Sequence, residues 1–199
     1  MDGLLHKRLL FLILLSVVAH NVVVFGGSRL ILLDSFEQLE QQAVEENLLR
    51  VANAVRNEVE NLGTLCADWA VWDDTYAFVQ DQNSEYISSN LGALTLIDLN
   101  LNALLIFDAN GTAVFVKGMD LVSEQLAEVP HELLNYFHQH KKFWPPLERF
   151  SRMDGLLVLS GKPILLSYRP ILTSQAKGPA RGILVMARWF DQAVIEELG

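Results

Sequence analysis

The 199 residues of this chain are 51% hydrophobic and 20% charged, and they carry a net charge of −9 with an isoelectric point near 4.9. This length suits one membrane anchor and one domain with a sizeable core, whereas two full domains would be crowded. The negative charge excludes nucleic acid as a partner, and the single cysteine, Cys66, excludes an intramolecular disulfide framework.

The first predicted element is an apolar segment near the N-terminus. Only three of the seventeen residues from Leu9 to Phe25 are polar, and the apolar stretch can extend to residue 33. Because about 20 residues cross a bilayer, the segment is long enough for one tilted span. Lysines and arginines interrupt every later apolar run, so we predict a single transmembrane anchor with its juxtamembrane segment at residues 9–33.

The charges on either side of this anchor predict its orientation. Lys7 and Arg8 precede it, whereas a run of acidic residues follows it. The positive-inside rule then places residues 1–8 in the cytoplasm and residues 34–199 outside, on the periplasmic face of the inner membrane. A signal peptide cleaved after Ala19 is the alternative. We favour the uncleaved anchor, because cleavage would leave an apolar new terminus.

A long amphipathic helix is predicted from Leu33 to about Cys66, where apolar residues recur every three or four positions. Such a helix can relay a displacement into the membrane, and it also suits the stalk of a parallel homodimer. His20 and Asn21 inside the span are then expected to pair across the dimer interface. The alternative is a helix whose second half packs on its own domain.

Strands are predicted in the second half of the chain. The clearest is a hairpin around the turn Asp108–Gly111, a run of residue types that suits tight turns. Helical structure is expected at residues 123–140, with a break or new start at Pro130, and a final helix is expected to begin near Asp191. We therefore predict an α+β fold, with an antiparallel sheet of about five strands flanked by helices. The strands are expected at residues 102–107, 112–117, 155–160, 163–172 and 182–188.

The most distinctive string runs from Asp68 to Phe78. Trp69, Trp72 and Tyr76 would share one face of a continuous helix, with two acids beside them. Aromatic rings with carboxylates can cradle a cationic ligand. The alternative is that the rings pack on the sheet while the acids cap a helix or pair with Arg152, Arg169 or Arg188. The candidate ligand-binding residues are Trp69, Trp72, Asp73, Asp74, Tyr76, Tyr168 and Arg169.

The sequence offers little support for a catalytic site or a metal-binding site. Asp73 and Asp74 would point about 100° apart on a helix, which does not make a carboxylate pair. His131, His138 and His140 lack the cysteine or acidic partners of a metal site. No phosphate-binding loop or nucleophile elbow is present. We therefore predict no catalytic residue, no metal, no cofactor and no enzyme activity, and a surface-anchored hydrolase using the two aspartates is the least favoured function.

The string from Asp68 to Phe78 resembles the CHASE4 family of extracytoplasmic sensor domains. Matching patterns recur at Leu105–Gly111, at Gly161–Ile171 and at Gly178–Asp191. The resemblance covers residues 34–199 and implies a Cache-like or PAS-like sheet with a ligand pocket, placed between a long N-terminal helix and a second membrane helix. Such domains precede histidine kinases, diguanylate cyclases or phosphodiesterases, which would be the cytoplasmic output.

The predicted function is thus a sensory input domain that binds a small solute or a periplasmic partner and relays the event through the long helix. The alternative is an envelope interaction module that binds no small ligand. Because the sequence ends at Gly199 without a return helix or an output domain, we expect either a fragment of a longer receptor or a domain that signals through a partner.

Overall fold

The computed structural model describes residues 2–139 and 152–190, and Met1–Ala52 and Asn53–Gly199 form two compact units. The expected final helix near Asp191 lies outside the described residues. Helix α1 (Asp2–Ala70) begins in the first unit and ends in the second. The predicted helix from Leu33 to Cys66 is therefore part of a longer one.

The first unit contains an apolar helical segment, His6–Arg29, with 24 residues and a mean hydropathy of 2.4. By length and composition this segment is able to cross a membrane, although an N-terminal signal sequence would have the same properties. The hydroxyl of Ser16 donates to the carbonyl of Ile13 (3.0 Å), and the amide of Asn21 donates to the carbonyl of Val17 (2.8 Å). These two polar groups thus have partners within their own helix.

The second unit continues from the last turns of α1 into three short helices. They are α2 (Asp73–Asp81), α3 (Ser84–Asn90) and α4 (Ala93–Asp98). A fifth helix, α5 (His131–Gln139), lies between the third and fourth strands.

Six strands form one antiparallel sheet in the order β3-β2-β1-β6-β5-β4. The predicted α+β class with an antiparallel sheet is confirmed. The strands are β1 (Ala103–Asp108), β2 (Ala113–Asp120), β3 (Gln125–Ala127), β4 (Met153–Leu159), β5 (Lys162–Pro170) and β6 (Gly182–Trp189).

The predicted hairpin joins β1 to β2. The Asp108 carboxylate accepts hydrogen bonds from the backbone amides of Asn110 (2.9 Å) and Thr112 (2.8 Å). Gly111 has a φ of +84°, a backbone conformation that favours glycine. The side chain of Asp108 and the freedom of Gly111 therefore close this turn, as the sequence predicted.

Both faces of the sheet are covered, which explains why its central strands are almost entirely apolar. On one face, which we call the α1 face, Ile106, Leu165 and Leu184 pack against α1 to α4. On the opposite face, the α5 face, Phe107 and Tyr168 join a cluster that includes residues of α5. Alternate residues of one strand thus belong to different clusters.

One predicted element is wrong. Residues 125–127 lie inside the segment expected to be helical, yet they form the edge strand β3, and α5 begins only at His131. All three side chains of β3 are exposed, so its backbone pairing with β2 decides the conformation. The new helix start expected at Pro130 is confirmed, since proline suits the beginning of a helix.

Candidate functional site

The tryptophan and aspartate string does not form one helix. Helix α1 ends at Ala70, and Trp72 is the extended N-cap residue of α2, with φ −121° and ψ 132°. The predicted single helical face of Trp69, Trp72 and Tyr76 is therefore wrong. The break still brings the two tryptophan rings together, with centroids 5.7 Å apart, and leaves Trp72 42% exposed.

A loop between two inner strands of the sheet closes on this junction. We call residues 171–181, between β5 and β6, the β5–β6 loop. The amide of Leu172 donates to the carbonyl of Ala70 (3.0 Å). The amide of Ser174 donates to Oδ1 of Asp73 (2.9 Å), while the amide of Asp73 donates to Oγ of Ser174 (3.1 Å). The carboxylate of Asp73 therefore holds the loop, and its partner is not one of the three expected arginines.

Tyr76 makes the second attachment of this loop. Its hydroxyl donates to the carbonyl of Pro179 (3.2 Å), and the guanidinium of Arg181 lies 3.7 Å from the centre of its ring. Arg181 also donates to the carbonyl of Tyr76 (2.9 Å). A Cβ on Gly178, where φ is +90°, would come within 3.1 Å of the tyrosine hydroxyl. Nothing in the sequence singled out Arg181, because its partner is 105 residues away.

Asp74 takes part in none of the described contacts to this loop, and it lines an open cleft of about 460 Å³ between α2 and α3. Within this cleft region, the hydroxyl of Tyr86 is 2.6 Å from that of Thr75. Burial raises the pKa of Tyr86, and the nearby charge of Asp74 adds to this rise. The cleft is acidic and polar, and its lining residues are Asp74, Ala77, Asp81, Asn83, Glu85, Tyr86, Ser89 and Asn90.

Tyr168 and Arg169 lie apart from the tryptophans and from each other. Tyr168 is 5% exposed on the α5 face, where its ring makes an edge contact with Phe137 at 6.4 Å. Burial raises the pKa of Tyr168, and the charge of Arg169 opposes this rise. Arg169 lies on the α1 face, paired with Asp154 at 2.6 Å. The structure thus brings together Trp69, Trp72, Asp73 and Tyr76, but not these two residues.

Three histidines were expected to be ordinary surface residues. His131 and His138 are exposed in α5, and His140 lies outside the described residues. Among residues 2–139 and 152–190, no group of three or more His, Cys, Asp or Glu side chains is placed to hold a metal ion. Arg152 and Arg188 were the other two arginines expected to pair with the aspartates. Arg188 pairs instead with Glu58, at 2.7 Å.

Comparison with known proteins gives a consistent family. The CHASE4 domain matches residues 54–199 of this chain. The Methanogenesis regulatory histidine kinase FilI of Methanothrix harundinacea (strain 6Ac) is 26% identical over 170 residues, which cover 84% of this chain and 19% of that protein. The chain therefore spans about a fifth of the length of this curated relative.

Two solved structures share the fold, each with a TM-score of 0.51. One is the extracellular domain of a protein described as a histidine kinase, vpHK1S-Z8, which is 16% identical and covers 77% of this chain and 58% of its own. The other is a domain of a sensory box/GGDEF family protein from Vibrio parahaemolyticus, which is 15% identical and covers 75% of this chain and 61% of its own. At these identities the likeness concerns the fold alone.

Proposed function

Since this chain belongs to the CHASE4 family of sensor domains, we propose that it is the extracytoplasmic input part of a signal-transduction receptor. The observation that carries the proposal is the family match over residues 54–199, preceded by an apolar helix able to cross a membrane. CHASE4 is a sensor domain and not a catalytic one. One N-terminal apolar helix and an extracellular sensor domain fit a single-pass membrane protein.

The proposed orientation places residues 1–8 in the cytoplasm and the sensor domain in the periplasm. The basic residues before the predicted anchor at residues 9–33 and the acidic residues that follow from residue 34 support this orientation. A periplasmic event would then reach the membrane through α1. The output, in the same longer chain or in a partner, would be a histidine kinase, a diguanylate cyclase or a phosphodiesterase, and the relatives named as a histidine kinase and a GGDEF protein support the first two.

We place the ligand contacts at the junction of α1 and α2. Trp72 offers an exposed ring beside the half-buried ring of Trp69, and Asp74 offers a carboxylate that makes no hydrogen bond to the β5–β6 loop among the described contacts. Asp73 and Tyr76 would act by holding that loop in place. This combination suits a small amine-bearing solute, because aromatic faces and carboxylates both attract cations. Tyr168 and Arg169 stay predictions, and their positions lend no support to a direct contact with the same ligand.

The experiment is a thermal-unfolding screen of the full chain in detergent micelles against amino acids, polyamines, organic acids and sugars. A ligand at 100 times its Kd stabilises the folded state by about 2.7 kcal/mol. We expect an amine to raise the Tm of the wild type and to have little effect on Trp72→Ala. Leu94→Ala, which shortens a side chain that is also exposed, is the matched control and should keep the response. No response to any solute class would contradict the proposal.

A second function, an envelope interaction module without a small ligand, is favoured by one observation. The described residues fill both faces of the central strands with buried side chains. A photo-crosslinking residue at position 72 in intact cells separates the two functions. A single protein adduct together with a flat solute screen favours the interaction module, whereas a Tm response without an adduct favours the sensor.

A further inference from the structure

A glycine about two turns before the end of α1 marks a close approach between this helix and the sheet. Glycine costs roughly 1 kcal/mol in a helix interior, so its presence at Gly63 calls for a physical reason. A Cβ at this position would lie 2.8 Å from Oδ1 of Asp154 and 2.9 Å from Nη2 of Arg169. The missing side chain therefore makes room for an ion pair beneath the helix.

This ion pair is bonded to the helix itself. Arg169 on β5 donates to both carboxylate oxygens of Asp154 on β4, at 2.6 and 2.9 Å. The same guanidinium donates to the carbonyl of Gly63 (2.9 Å), and Ser167 donates to Asp154 (2.8 Å). Both charged side chains are largely buried, at 12% and 22% exposure. Two strands are thus tied to one backbone position of α1.

A second buried ion pair ties the same helix to β6. Arg188 donates to Glu58 of α1 (2.7 Å), and the two side chains are 13% and 20% exposed. The guanidinium also donates to the carbonyls of Leu99 (3.2 Å) and Asn100 (2.6 Å), just after α4. This arginine therefore joins α1, the end of α4 and the last strand before residue 190.

The apolar contacts of α1 do not by themselves fix its position along the sheet. Leu62, Cys66 and Ala70 are all buried and four residues apart, so a shift by one helical turn would replace one apolar contact by the next. The polar contacts are different, because no second glycine or glutamate stands one turn away from Gly63 or Glu58. After such a shift, Ala67 or Val59 would meet the Arg169–Asp154 pair, and Leu62 or Ala54 would meet Arg188.

We propose that the two ion pairs and Gly63 form an axial latch, which holds residues 58–70 of α1 at one register on the sheet and must open before the helix can move along it. Buried ion pairs that specify a register add little net stability compared with apolar replacements, which is consistent with a role in positioning. Helices also shift past their neighbours by whole turns in known switches. The regulatory meaning of the latch rests on the proposed function, but its existence does not, since the register is measurable without any ligand.

The test is a pair of spin labels on the full chain, at Glu60→Cys in α1 and at Lys162→Cys at the start of β5. The native Cys66 is buried, and burial raises the pKa of its thiol to about 12, so it stays unlabelled. The wild type should give one narrow distribution of distances. Asp154→Leu/Arg169→Met, which replaces the buried pair by apolar side chains, should add a population displaced by up to about 5 Å, one helical turn.

Controls separate loss of register from loss of stability. Phe137→Leu removes packing on the opposite face of the sheet, and it should lower the Tm while leaving the distance distribution unchanged. If the double variant does not fold, Gly63→Ala provides the same test, because its new Cβ must displace the ion pair. A wild-type distribution in the double variant, or in Gly63→Ala where only that variant folds, would overturn the latch. So would equal broadening in Phe137→Leu.

Discussion

At the scale of single residues, Asp73 and Asp74 show how two neighbouring acids acquire different roles. Both lie in the first turn of α2, where a negative charge is favourable, but only Asp73 accepts a hydrogen bond from Ser174. We expect Asp73→Ala to destabilise the fold by about 1 kcal/mol, because the Ser174 amide loses its acceptor. Hydrogen exchange of residues 171–181 should accelerate in this variant.

Asp74→Ala is the matched control for this prediction. It removes the same charge from the same turn of α2, yet the described contacts of Asp74 include no hydrogen bond to the β5–β6 loop. Urea unfolding and hydrogen exchange of both variants compare the two acids directly. Equal acceleration of the loop in both would mean that helix electrostatics, and not the bond to Ser174, holds the loop.

Cys66 gives a prediction about alkaline pH. Burial raises the pKa of its thiol from an ordinary value near 9.0 to about 12. The unfolded thiol therefore ionises first as pH rises, so the free energy of unfolding is unaffected below pH 9 and falls between pH 9 and 12. At pH 10 the loss from this residue should be on the order of 1 kcal/mol.

Cys66→Ser isolates this contribution, since a serine hydroxyl does not ionise in this range. The pKa values of Tyr86 and Tyr168 are also raised, but both tyrosines remain in both proteins and their effects cancel. Urea unfolding at pH 8 and pH 10 should show a larger alkaline loss for the wild type than for Cys66→Ser. Parallel losses would show that the thiol is accessible to solvent.

At the scale of elements, the part of α1 in the first unit presents apolar side chains that are exposed where the structure describes them. Val44, Leu48 and Val51 follow at spacings of four and three, and each is more than half exposed. That spacing is typical of a coiled-coil seam, so we propose a parallel homodimer stalk here. Leu48→Asp should weaken the dimer of the full chain at least about tenfold, or 1.4 kcal/mol.

Analytical ultracentrifugation in detergent of matched density measures this effect. Gln42→Asp introduces the same charge on a different side of the helix, and it should leave the dimer intact. A monomeric wild type would remove the stalk from the proposal, and equal dissociation by both variants would assign the effect to charge alone.

The elements differ in how far their sequences determined them. The hairpin at Asp108–Gly111 was predictable because its turn is closed by local contacts. The strand β3 was not, because its three exposed residues carry no apolar pattern and only pairing with β2 defines them. The break at Val71 and Trp72 was hidden for a similar reason, since the β5–β6 loop that accompanies it lies about 100 residues further along the chain.

The same distinction applies to the candidate site. Spacing alone placed Trp69 near Trp72, and they do meet. Because Tyr168 and Arg169 are adjacent in the predicted strand, their side chains were bound to lie on opposite faces of the sheet, which already argued against a shared contact with one ligand. Sequence could not tell what covers each face, because a polar face would mark the solvent side and here both faces are apolar.

At the scale of the whole molecule, topology decides whether the sensor domain can meet an extracellular signal. The basic residues Lys7 and Arg8 lie just before the predicted anchor at residues 9–33, and the exposed Lys177 lies in the β5–β6 loop. With the N-terminus inside, a membrane-impermeant maleimide should label Lys177→Cys in spheroplasts. It should label Asp2→Cys only after the membrane is permeabilised.

The unmodified chain is the background control for this measurement, because its buried Cys66 should not react in either condition. Replacing Lys7 and Arg8 by glutamate tests the cause, since it removes the charge bias that the positive-inside rule requires and should give mixed labelling. Labelling of Asp2→Cys in intact spheroplasts would reverse the proposed orientation. Absence of residue 2 from the mature chain would instead identify the apolar segment as a cleaved signal sequence. The relay through α1 into the membrane would then have no anchor at this end.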